Sequence, residues 1–93
     1  VDPTANAFER LGWCYFRLSY FDKSIDAYRD AVKIDPTHWQ SQNGIGVNAL
    51  NTWLLSKKQD KDALNEAKAA FRKSLQINAN QPKLIELMTN FQM

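Results

Sequence analysis

The sequence predicts an all-α fold, and three observations carry that prediction. Apolar residues recur at spacings of three and four, as on one face of a helix. No alternating β-branched and polar run appears, so strand signals are missing. Only three glycines and three prolines punctuate the 93 residues. The prolines also fall where helices would begin. Pro3 follows Asp2, Pro36 follows Asp35, and Pro82 follows Asn80-Gln81. A first-turn proline gives up no helical hydrogen bond, and a preceding Asp or Asn can cap free N–H groups.

Each helix has its own signal. Phe8, Leu11, Tyr15 and Leu18 predict one over about 4–19, and Phe21, Ile25, Tyr28 and Val32 a second over 22–34. A third is expected over 37–57. Leu64, Ala67, Phe71 and Leu75 mark a fourth over 60–77, and Leu84, Leu87 or Met88, and Phe91 a short fifth over 81–92. The short connections require antiparallel neighbours.

Composition narrows the function classes. The chain is 44% hydrophobic and 24% charged, near the globular average, with a net charge of +2. That balance argues against a nucleic-acid partner. The apolar runs are too short to insert in a membrane. Lys57, Lys58 and Lys61 are interleaved with Asp60 and Asp62, which reads as a solvated tip. Cys14 is the sole cysteine and His38 the sole histidine, 24 residues apart. Cys14 is expected to be a half-buried, inert thiol. No residue is placed to orient His38 as a base, so no catalytic, metal or cofactor site is expected. Rapid labelling of Cys14 would favour a catalytic thiol instead. A lone thiol suits the cytoplasm, although periplasmic repeat proteins also lack disulfides.

Internal repetition says more. Val1-Asp2-Pro3-Thr4 returns as Ile34-Asp35-Pro36-Thr37, and Leu11-Gly12 as Ile45-Gly46. Phe8, Leu11, Gly12, Tyr15, Phe21, Ser24, Tyr28, Ala31 and Pro36 together resemble the tetratricopeptide repeat, with Ser24 where alanine is usual. A second unit over about 39–81 keeps Ile45, Gly46, Ala67, Phe71 and Ile77 but carries nine extra residues. Added turns on both of its helices would place the tip at 56–62 and pack Trp53 and Leu54 inside the extension. Residues 82–92 align with a third first-helix and are expected to cap the stack. The whole chain reads as one domain, and Val1-Asp2-Pro3 as the tail of a preceding repeat in a longer protein.

The resemblance implies a right-handed superhelical stack of helix hairpins, whose first helices line a concave groove for a peptide or partner helix. Carried over by position, the groove residues are Asn6, Glu9, Trp13, Phe16 and Arg17, then Gln40, Asn43, Val47, Leu50 and Asn51, with Lys83, Glu86 and Asn90 from the last helix. Trp13 and Phe16 would bury apolar side chains, Asn43 and Asn51 would pair with peptide backbone, and Arg17 would fork onto a carboxylate. Glu9 and Trp13 stand where one subclass of the family uses Lys and Asn to grip a carboxylate, so that mode is not expected. Trp39 is expected to cover the repeat junction. The implied function is a protein-binding scaffold or adaptor, with self-association through the stacking ends as the alternative.

Overall fold

The computed structural model describes residues 4–93, so Val1, Asp2 and Pro3, read above as the end of a preceding repeat, lie outside the described residues. Five α-helices follow one another: α1 (Ala5–Arg17), α2 (Phe21–Ile34), α3 (Trp39–Leu55), α4 (Lys61–Ile77) and α5 (Pro82–Asn90). No strand occurs among the described residues. The expected all-α repeat architecture is therefore present, as two helix hairpins followed by a single helix.

The helix ends have local causes. Thr4 caps α1, its hydroxyl oxygen accepting from the Ala7 N–H at 3.1 Å. Asp60 caps α4 in the same way, through the Ala63 N–H at 3.0 Å. Pro82 occupies the first turn of α5, as expected. Pro36 behaves differently. The Asp35 carboxylate accepts from both the Thr37 N–H and hydroxyl, folding residues 35–38 into a turn, and α3 starts only at Trp39. Neither Leu18–Tyr20 nor Ser56–Asp60 offers a glycine, so Ser19, Lys57 and Lys58 adopt left-handed backbone with φ of 63°, 57° and 64°. Helix α3 is four residues longer than α1, and α4 three longer than α2. The remaining insertion lengthens the connecting loop.

Two aromatic rings organise the packing. Tyr28 of α2 lies between Gly12 of α1 and Gly44 of α3: a Cβ on Gly12 would meet three ring carbons at 2.9 Å, and one on Gly44 would come closer still. Phe71 of α4 is fully buried against Gly46 of α3. Around Phe71 gather Ala49, Leu50, Ala67, Leu84 and Met88, joining α3, α4 and α5 in one core. Trp53 packs on this core and meets Phe91 edge-on at 6.2 Å between centroids.

A buried polar chain links three helices. Asn48 Nδ2 of α3 donates to Ser24 Oγ of α2 at 3.0 Å, and Ser24 Oγ donates to the Gly12 carbonyl of α1 at 2.7 Å. Ser24, where the family has alanine, thus hydrogen-bonds to both neighbouring helices while fully buried. Across the surface, Arg29 of α2 holds both carboxylate oxygens of Glu66 of α4 at 3.1–3.3 Å.

Three burial expectations are corrected. Leu50, expected in the groove, is 6% exposed and lies in the core around Phe71. Leu54, expected inside the extension, is 40% exposed. Cys14, expected half-buried, is exposed. The first two share a cause. Helix α3 is covered by α2, α4 and α5 together, so its apolar side chains are not confined to one stripe and the facing of each could not be read from periodicity.

Candidate functional site

Between α1 and α3 lies an open cavity of about 350 Å³. Its walls are Glu9, Trp13 and Phe16 from α1, Tyr28 from α2, and Trp39, Gln40, Asn43, Gly44, Val47 and Asn48 from α3. The amphipathic period of α1 explains its side. Glu9, Trp13 and Phe16 follow one another at spacings of four and three and so share a face. On the other side, Gln40, Asn43 and Val47 do the same, while Gly44 lets the floor, Tyr28, rise between the two helices.

Six of the ten residues expected in the groove therefore meet at one cavity: Glu9, Trp13, Phe16, Gln40, Asn43 and Val47. The other four do not line it. Asn6 is committed to His38, whose Nε2 donates to Asn6 Oδ1 at 2.7 Å, while Nδ1 pairs with the Ser41 hydroxyl at 2.8 Å. Arg17 lies with its guanidinium 4.8 Å from the centre of the Trp13 ring, a cation–π seat outside the cavity walls. Leu50 is core. Asn51 is half-buried, and its Nδ2 has no hydrogen-bond partner.

Four walls were not assigned to the groove from the sequence. Tyr28 was read as a packing residue and Gly44 was given no role; both pack between the helices and line the cavity. Trp39, expected over the repeat junction, is half-buried and forms a wall. Asn48 went unremarked because it falls off the position pattern. No sequence signal singles it out, since α3 also carries Gln40, Gln42, Asn43 and Asn51.

The chemistry of the walls is uneven. Trp13, Phe16, Tyr28 and Trp39 supply aromatic surface. Glu9 is the one charged wall, and α3 carries no charged residue along its length. Burial, helped by the nearby Glu9 carboxylate and Cys14, pushes the Tyr28 phenol up to about 12, so the floor stays neutral at ordinary pH. No three His, Cys, Asp or Glu side chains come together as a metal site among the described residues. No helix there is long and apolar enough to cross a membrane.

Comparison with known proteins agrees with this architecture. The family model of the tetratricopeptide repeat matches residues 5–38, which are α1, α2 and the turn into α3. RNA polymerase-associated protein CTR9 of Caenorhabditis elegans is 29% identical over 82 residues. That match covers 87% of this chain but 7% of the relative, so the chain spans a small part of that protein's length. No solved structure matches the chain significantly. Tetratricopeptide repeats are in general protein–protein interaction modules. Residues 5–38 are a tetratricopeptide repeat, set within a stack of five helices.

Proposed function

We propose that the chain is a protein-interaction module that holds a segment of a partner polypeptide in the cavity between α1 and α3, in a scaffold or adaptor role. The observation that carries this reading is the convergence of Trp13, Phe16 and Trp39 around an open cavity. Trp13 is 53% exposed even with the Arg17 guanidinium over its ring, an unusual amount of bare indole surface. Large aromatic side chains of this kind supply most of the energy at protein interfaces. By name, the C. elegans relative associates with RNA polymerase. A module that grips one segment of a partner suits such an assembly.

The test is peptide capture. A library of blocked decapeptides offered to the chain should yield binders that Trp13→Ala releases, with at least a tenfold rise in Kd. Binders indifferent to Trp13→Ala would remove the groove from the reading.

Self-association is the second reading, favoured by Leu11 in the middle of α1 and by Leu18 and Tyr20 just beyond its end, which are 42%, 62% and 55% exposed. Sedimentation equilibrium over a hundredfold concentration range separates the two. A monomer throughout leaves the peptide reading alone, and a dimer that survives Trp13→Ala supports stacking.

A further inference from the structure

We infer that the cavity's occupant is a basic side chain, arginine or lysine, carried by the partner segment; this rests on the groove reading above and deepens it. The first observation is charge. Glu9 is the one charged wall, and no salt bridge neutralises it among the described residues. Four aromatic side chains stand beside it. Aromatic faces attract cations, and the long stems of Arg and Lys favour apolar surface, so one such side chain satisfies both kinds of wall.

The second observation is independent of charge and follows from hydrogen-bond direction. Gln81 Nε2 donates to the backbone carbonyls of Ser74 and Asn78, which can only accept. Its Oε1 is therefore fixed toward α3, where it accepts from Asn43 Nδ2 at 2.8 Å. That leaves Asn43 Oδ1 buried with no partner. Asn48 is fixed likewise. Its Nδ2 donates to the Gly44 carbonyl at 3.0 Å, so its Oδ1 is the unpaired atom, in a residue 2% exposed. Two walls of the same cavity thus each have an unpaired acceptor, and Asn48 has both of its N–H groups engaged. A buried acceptor without a donor is costly. A guanidinium or ammonium brings several donors and no acceptor, which matches the Glu9 carboxylate and adds no acceptor to walls that already hold unpaired ones.

The cations on α1 do not already fill this role. Arg10 directly follows Glu9, but consecutive residues of a helix do not face each other, and Arg10 is neither paired with Glu9 nor a wall of the cavity. Arg17 is eight residues from Glu9, about 12 Å along the helix, which exceeds the ~8 Å screening length at physiological salt. It sits on the Trp13 ring, four residues away on the same helix, and not in the cavity. The volume of about 350 Å³ suits one long side chain rather than a helix.

The experiment is a positional-scanning library of N-acetylated, C-amidated decapeptides, selected on the 93-residue chain. The best binder is then resynthesised with its basic residue replaced by neutral citrulline (for Arg) or glutamine (for Lys). Selection is expected to enrich Arg or Lys at one position. The neutral replacement should weaken binding at least tenfold against the wild-type chain and less than twofold against Glu9→Gln. Glu9→Gln keeps the side chain's shape, so it separates charge from folding. Binders released by Trp13→Ala but indifferent to the neutral replacement would overturn the basic occupant and leave the groove. Binders indifferent to Trp13→Ala, or no binders, would overturn both.

Discussion

The two hairpins carry related sequence patterns but differ sharply in what they bury. Helix α1 buries only Ala5 and Gly12, whereas α3 buries eight residues. Each hairpin closes on one ring, Tyr28 or Phe71, placed against glycine of a neighbouring helix. The contrast comes from neighbours. Helix α3 has α2 on one side, α4 as its partner and the residues of α5 beyond, while α1 packs chiefly on α2 and more lightly on α3. A motif therefore sets which residues can approach closely, and the position in the stack decides which of them leave water. The same contrast puts the candidate site where it is. The less covered helix keeps Trp13 in solvent, and the more covered one supplies a rigid opposing wall.

The sharpest way to break this comparison is to truncate an aromatic in each hairpin. Phe71→Ala should cost about 3–5 kcal/mol, read as a lower urea midpoint. Phe8→Ala, in half-buried surroundings, should cost less than half of that. Equal losses would mean that the hairpins are equally packed. A second variant probes the junction between them. Gly44→Ala drives a methyl into the Tyr28 ring and should cost about 1–3 kcal/mol or more, also read by urea unfolding. It should distort the cavity floor as well, weakening any peptide that Trp13 holds.

The alkaline limb sharpens the comparison further. The Tyr28 phenol titrates near 12 in the folded chain and near its ordinary 10.0 when unfolded. The folded state thus retains a proton that the unfolded state has lost, so stability should fall as pH rises from about 10 to about 12. Tyr28→Phe should flatten that part of the profile, measured by thermal melts against pH. The smallest expected effect lies in the first turn. Ser19 pays for a φ of 63°, and Ser19→Gly should raise stability by about 0.5–1 kcal/mol, seen as a higher melting temperature.

Much of the fold was legible because helix periodicity, Pro82 and the Phe8-to-Pro36 pattern act locally. Helix ends were less so, because the Asp35–Thr37 turn consumed residues that looked like the start of α3. At the site, the α1 wall could be read from an amphipathic helix with a polar side. On α3 the facing was obscured, since Leu50 and Asn48 sit among apolar and small residues on every side. Asn6 was lost to His38, a pairing across 32 positions that no local pattern encodes.

Tyr28 has a consequence for dynamics. Its ring is at once the filling between α1 and α3 and the floor of the cavity. The first hairpin therefore cannot open away from α3 without abolishing the site. A bound segment should slow amide exchange in the buried turns of α1 and α2, far from any atom it touches. Occupancy and local opening would then be two readings of a single equilibrium.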